Sequence, residues 1–566
     1  MSQPANTDLP EEPRWHDITA LAVVWFGTLA VMGRLCFHEF TYWDDVGTVF
    51  QNPLVASPSW ASMARIWIRP LYGLYVPITY SVWAGIACIA RVDHDPAGFG
   101  LNPWLFHAAN VLAHLLTTSI VYRILRLLEA DSCSSAAGAL LFGMHPLQVE
   151  TVAWVSGLKD GLSGLFAMIA VWQFIVFALS DLRKDDGGRV AIVSYLLATV
   201  AFVAAMLAKP SAMALPLATL AIDRWIIGRR WRGVLATALA WTLIVLPIAL
   251  IARAVQDAIN TPMPGLPMRP LIALDSLAFY LMKLAFPWPL TVDYSRTPAV
   301  VIAHGWCYWD WIFPVGVAAW LIGGARRRPV LLAAGLIFLA GCLPVLGYTP
   351  ALFQFFSTVT DHYLYFSIFG PAIALAWALS TVRGPLLRGI TVGILLIFAF
   401  LSILQGGYWA NDRTLFTHDI AVNPDSCIGY INLGGDDIRD GNFVAALQDY
   451  RRCTASRPDW PVAWGSRAAA ASAVGNIDEA IDSGRRAVNL QITHPLLRTS
   501  WLSDNALLGH LLFVKNRFAE AIPYLRTAAE LNPSDDSLAR ELKEALRFAA
   551  TQPSAESAPA ATPLHD

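Results

Sequence analysis

Up to about residue 405 the chain is a succession of apolar blocks separated by short polar runs. A helix needs about 20 apolar residues to cross a bilayer, and about eleven blocks meet that length. They centre on 18–36, 104–125, 135–149, 161–180, 190–208, 212–228, 233–253, 306–324, 330–346, 365–381 and 389–405. Two further stretches, 71–92 and 271–290, are interrupted by Pro, Tyr and Trp and read as interfacial or re-entrant helices. Beyond residue 425 the long blocks stop, and a 34-residue helical pattern takes over. One unit, 427–460, places Leu433, Gly434, Phe443, Ala446, Tyr450 and Pro458 where a tetratricopeptide repeat requires them. A second, 461–494, supplies Trp464, Ala480 and Ala487, and a third, 502–535, supplies Leu508, Gly509, Phe518, Ala521, Ala528 and Pro533. Residues 536–549 would cap the stack.

The predicted fold is therefore all-α: a polytopic membrane bundle followed by an α-solenoid. A leader at 1–17 precedes the membrane domain (18–410), the repeats occupy 425–549, and an Ala/Pro/Ser tail (550–566) reads as disordered. Composition agrees. Of 566 residues, 56% are hydrophobic and only 14% charged, against about a quarter charged in a soluble domain. A net charge of −2 without any basic tract leaves no case for a nucleic-acid partner.

Charge placement sets an orientation. Lys and Arg gather in alternate loops, "YRILRLLEAD", "SDLRKDDGGR", "DRWIIGRRWR", "GARRRP" and "VRGPLLRG", and such loops lie on the cytoplasmic side. The leader lacks a basic n-region and a cleavage site, so the first span reads as an uncleaved anchor with its N-terminus inside. The opposite loops and the repeats then lie outside, in the periplasm of a bacterial inner-membrane protein.

Those outer loops concentrate polar chemistry. "TYWDDVGTVF" carries Asp44 and Asp45; "GMHPLQVETVAWVSGLKDGLSG" carries His145, Glu150, Lys159 and Asp160. "LAKPSAM" carries Lys209, and "TVTDHYLYFS" carries Asp361, His362, Tyr363 and Tyr365. Interfaces also collect such residues as anchors, but two adjacent acids repel and gain nothing from that role. Carboxylates beside fixed cations suit group transfer at a phosphate: an acid can deprotonate an attacking hydroxyl, and Lys or His can stabilise a phosphate leaving group. Asp44, Asp45 and Asp160 could instead hold Mg²⁺ or Mn²⁺ through hard oxygen ligands. No P-loop or nucleophile elbow is present.

In order, "WDD", "HPLQVETVAWVSGLKDGLSGLF", "LAKPS", "FPWPLTVDYS", "TDHYLYFSIFG" and "WANDRTLF" resemble the bacterial relatives of the transmembrane O-mannosyltransferases that end in tetratricopeptide repeats (TMTC-like). These belong to the multi-spanning glycosyltransferases of GT-C architecture. The resemblance implies transfer of a sugar from a polyprenyl-phosphate carrier to a Ser/Thr hydroxyl of an extracytoplasmic protein held by the repeats, with inversion. It implies Asp44 as base with Asp45 beside it, Asp160 as an acid assisting phosphate or metal, and Lys159 and Lys209 near the carrier phosphate. His362 stands where the family often has Arg, losing a permanent charge and a bidentate fork. Two other readings fit the pattern: an envelope glycolipid or glycan as acceptor, and a non-catalytic scaffold displaying the repeats.

Of seven cysteines, five (Cys36, Cys88, Cys133, Cys307, Cys342) sit in or beside apolar segments and read as packing residues. Cys427 and Cys453 fall where helix A of the first repeat begins and helix B nears its end. They read either as a disulfide, favoured outside the cytosol, or as two buried thiols.

Overall fold

The computed structural model describes residues 14–92, 100–183, 188–256, 264–348, 352–382, 384–493 and 500–551. Most of the expected leader and all but the first residues of the expected tail lie outside these. Among the described residues there is no β-strand, only isolated bridges at Leu71–Leu74 and Arg91–Leu101. The chain divides into two compact units, Met1–Pro424 and Asp425–Asp566.

Among the described residues of the first unit six helices are long and apolar enough to cross a bilayer: Trp15–Phe37, Pro103–Leu127, Val155–Arg183, Arg189–Ala208, Trp231–Val255 and Pro385–Tyr408. That is fewer than the eleven predicted. The segment expected at 135–149 is helical only over Ser132–Met144, because His145 precedes Pro146 and the α conformation is disfavoured there. Those expected at 306–324, 330–346 and 365–381 shorten to Ile312–Gly324, Pro329–Cys342 and Phe369–Thr381. Helices of that length span about 20 Å, less than the hydrocarbon core. The block at 212–228 is split into a 3₁₀ turn (Pro210–Ala214), a short helix (Leu215–Ile222) and a π turn (Asp223–Ile227). Hydropathy marked these blocks correctly as apolar, but prolines and polar turns break their helices. Neither interrupted stretch is among the six; they form the helices Pro77–Ile89 and Arg269–Ala285.

The helix ends are sorted by charge. At one end Arg126 pairs with Asp17 at 2.7 Å, and Arg229 pairs with Asp181 and Asp223 at 2.9 and 3.0 Å. Asp131 caps the 132–144 helix through Ser134 N–H and accepts a hydrogen bond from Ser380 at 3.2 Å. These contacts join Asp17 to Arg126, Asp131 to Ser380, and Arg229 to Asp181 and Asp223 across neighbouring helix ends. The predicted site residues lie at the other end of the same helices.

The second unit is a stack of antiparallel helical hairpins: Cys427–Arg439 with Phe443–Ser456, Pro461–Val474 with Ile477–Thr493, and Trp501–Val514 with Phe518–Leu531. Asp536–Thr551 closes it. Each helix packs on the next, and the first helices of successive pairs also touch. The small residues that signalled the repeats act as predicted: a methyl group on Gly434 would run into the Tyr450 ring, and one on Gly509 into Leu525. Ala446, Ala480, Leu508 and Ala521 form the shared core. Cys427 and Cys453 are joined by a disulfide between Cα atoms 4.4 Å apart, clamping the open end of the first hairpin.

Candidate active site

The loop 41–45 follows the first span and is held from both sides. The Tyr42 amide donates to both carboxylate oxygens of Asp412 at 3.1 and 3.0 Å. Asp45 is fully buried; its Oδ2 accepts from the Thr41 amide and hydroxyl, each at 3.1 Å. Its Oδ1 accepts from the Ser156 amide at 3.0 Å and hydroxyl at 2.6 Å. Burial pushes its pKa up to about 6, the Ser156 hydroxyl and the Thr41 amide and hydroxyl opposing that shift and Asp44 adding to it. Asp45 thus fastens the loop to the turn 154–157, and its neighbour is left facing outward. The Asp44 side chain is 43% exposed and lies 3.8 Å from Lys159 Nζ. The adjacent acids therefore do different work: Asp45 holds the loop, and Asp44 is presented to solvent beside a lysine.

Lys159 and Asp160 open the 158–183 helix. Lys159 Nζ lies 5.0 Å from the Trp154 ring centroid, and Trp154 is stacked on Trp43 with centroids 4.9 Å apart and planes 12° off parallel. Asp160 Oδ1 pairs with Lys209 Nζ at 2.5 Å, while its buried Oδ2 has no hydrogen-bond partner among the described residues. Lys209 sits 5.4 Å from the Tyr363 ring centroid. Burial lowers its pKa from the ordinary lysine value, with Asp160 opposing.

His362 and Glu150 form a buried pair, Nδ1 to Oε1 2.8 Å, and the carboxylate also accepts from the His362 amide at 3.0 Å and the Thr360 hydroxyl at 3.1 Å. Desolvation drives the Glu150 pKa up and the His362 pKa down. At the position where Arg was expected, His362 is engaged by Glu150.

Asp361 is buried and accepts from Tyr294 at 2.9 Å; burial raises its pKa, with Glu150 adding to the rise. His145 is not turned toward these groups: Nδ1 accepts from the Leu147 amide at 3.2 Å and Nε2 lies 3.1 Å from Leu284 O. It caps a turn.

Asp44, Lys159, Asp160 and Lys209 all act electrostatically on His362, which places the group together. A cleft begins among Asp160, Lys209, His362 and Tyr363 and continues between helices along Ala167, Leu215, Val345 and Phe366. Its polar end holds the Asp160–Lys209 pair, and its walls beyond are apolar. The three aspartates predicted as a cation site do not fit one. Asp45 has both oxygens filled, Asp44 and Asp160 each face a lysine, and among the described residues no group of three or more His, Cys, Asp or Glu could hold a metal ion. Sequence reasoning missed Ser156, Asp412 and the Trp43–Trp154 stack. Trp43 and Trp154 stood in the quoted motifs, but nothing local pairs them.

Fold and site together define a multi-pass membrane protein with an acid–lysine cluster at one end of its bundle and a helical-repeat unit after it. In sequence the chain is TMTC-like. It is 22% identical over 505 residues to the mouse protein O-mannosyl-transferase TMTC4, covering 76% of this chain and 66% of that protein. It is 22% identical over 482 residues to mouse TMTC3, covering 76% of this chain and 48% of that protein. A shorter stretch of 72 residues is 35% identical to Xenopus laevis tmtc2, 13% of this chain and 9% of that one. The chain thus spans just under two thirds of the first relative and about half of the second. No family model matches. Among solved structures, the crystal structure of the APC/C hetero-tetramer Cut9–Hcn1 aligns over 78% of this chain and 85% of that chain at 12% identity, with a TM-score of 0.22. That superposition is too loose to bear on the fold.

Proposed function

We propose that the protein is a membrane glycosyltransferase that moves a sugar from a polyprenyl-phosphate carrier to a Ser or Thr hydroxyl of a protein. The observation that carries this reading is the cleft with Lys209 at its polar end and apolar walls beyond, together with the partly exposed Asp44 paired with Lys159. The similarity to proteins named protein O-mannosyl-transferases supports it.

In this reading the carrier's phosphate meets Lys209 and Lys159, and its tail lies along Ala167, Leu215, Val345 and Phe366. Asp44 accepts the proton of the acceptor hydroxyl as its oxygen attacks the anomeric carbon. The bond from that carbon to the phosphate oxygen breaks, and the electron pair leaves with polyprenyl phosphate, whose charge the lysines stabilise. A single displacement inverts the anomeric configuration. The basic loops would face the cytoplasm, with the site and the repeats on the outer side. No metal is needed in this scheme. The repeats would hold the acceptor chain, raising its concentration at the site.

The test is transfer of labelled sugar from polyprenyl-phosphate hexose in proteoliposomes supplied separately with envelope proteins and envelope lipids. Labelled protein is expected with the wild type and none with Asp44→Asn. Labelled lipid alone would move the acceptor to a glycolipid, and no transfer to either would leave a scaffold role.

A further inference from the structure

Resting on the glycosyl-transfer reading, we infer that Trp43 is the platform on which the donor's sugar ring is stacked, setting the anomeric carbon beside Asp44. One face of the Trp43 indole is covered by Trp154. Trp154 itself is buried at 3% exposure, ringed by Trp43, Trp409 at 6.5 Å, His362 at 5.7 Å and the Lys159 ammonium. Trp43 is only partly buried. A large indole kept partly open beside an exposed carboxylate gains little from packing; buried in full it would remove more apolar surface from water.

The loop fixes the ring rather than leaving it loose. On one side of Trp43 the Tyr42 amide is tied to Asp412; on the other Asp45 is tied to Ser156. Two anchors within three residues leave Trp43 and Asp44 as the pair presented outward, with rotamer freedom already spent. A pyranose presents a face of C–H groups that suits an indole, and its hydroxyls suit flanking charges. Lys159, over the Trp154 ring, and Asp44, 3.8 Å from that lysine, supply those charges. Binding sites that combine an aromatic wall with a few fixed polar groups follow this pattern. The platform thus recognises the sugar, while Lys209 and the apolar cleft recognise the phosphate and the tail.

The division is testable with the full chain in detergent micelles. Binding of polyprenyl-phosphate hexose is compared with binding of bare polyprenyl phosphate for wild type, Trp43→Ala and Trp43→Phe. Trp43→Ala should weaken the sugar-bearing lipid by about 5–10-fold, the size of one aromatic contact. The bare lipid should bind unchanged, and Trp43→Phe should recover most of the loss. An equal loss for both lipids, or none for either, would overturn the inference. If wild type binds neither lipid, the glycosyl-transfer reading itself fails.

Discussion

The two adjacent aspartates offer the sharpest contrast the structure allows. Asp45→Asn keeps one carbonyl oxygen where two carboxylate oxygens now accept from the Thr41 and Ser156 amides. Whichever way the amide turns, its NH₂ faces one of those N–H groups, and a buried backbone donor loses its acceptor. A buried donor left without a partner costs about 1–3 kcal/mol, and the misplaced NH₂, which a hydroxyl can turn to meet, adds about 1 kcal/mol, so roughly 2–4 kcal/mol is expected. Each kcal/mol moves the midpoint of a 150–250-residue domain by about 2–4 °C and of a larger unit by less, giving a drop of roughly 3–6 °C here. Asp44→Asn removes only a partly exposed contact with Lys159 at 3.8 Å, worth at most about 1 kcal/mol. Its melting curve should overlie the wild type. Turnover should behave in the opposite sense. Losing a positioned base removes a factor of about 10²–10⁴, so Asp44→Asn should be nearly inactive while intact. Asp45→Asn should be less stable but, below its melting range, partly active. The assay pairs fluorescence-monitored melting at one scan rate, since membrane proteins often unfold irreversibly, with labelled-sugar transfer. Melting loss at Asp44→Asn together with dead but stable Asp45→Asn would reverse the assignment.

Lys209 must be cationic to hold phosphate, and burial lowers its pKa. Activity should therefore fall on the alkaline side earlier than an ordinary lysine would dictate, and Lys209→Arg should push that limb to higher pH if the guanidinium fits; a pH–rate profile decides. Alkaline phosphatase fused after residue 549 should be active and one fused near Arg327 inactive, the reverse placing the repeats in the cytosol. Reduction of Cys427–Cys453 opens a loop that contributes about 3 kcal/mol in the chain-entropy model, so Cys453→Ser should lower the repeat unit's melting point, measured on the full chain. Truncation after residue 424 should spare donor binding and weaken transfer to a protein acceptor, with excess short peptide restoring part of it. A cut at 410 should also abolish turnover, because it removes Asp412 from Tyr42.

Much of this was legible before any coordinates. The repeats were, because Gly434 and Gly509 mark close helix approach with a fixed period. The clustering of Asp44, Lys159, Asp160, Lys209 and His362 was also legible, since each stands at a span end on the same side. The roles inside the cluster were not. Which of two neighbouring acids turns inward is decided by Ser156, 111 positions away. Nothing near His145 reveals that Leu147 and Leu284 occupy both ring nitrogens. His362 looked like a phosphate ligand until Glu150 was found against it. The count of spans failed for a different reason: hydropathy averages over a block and does not register a turn within it, as at Pro210–Ala214. The helix Asp412–Val422 is polar enough to read as linker, yet Asp412 and Asp419 bind back to Tyr42 and Thr291.

The tie from Tyr42 to Asp412 also has a meaning in time. It joins positions 370 apart, so while the chain is being made the loop bearing Asp44 exists long before its second anchor. At ribosomal rates of about 5–20 residues per second that interval is roughly 20–70 s. For the first stretch of it the loop lacks Ser156 as well, which follows 111 positions on, and afterwards it has Ser156 to rest on but nothing to hold Tyr42. A nascent or prematurely ended bundle therefore presents Asp44 without its final alignment, which is reached only once Asp412, just beyond the Pro385–Tyr408 helix, has emerged and folded back.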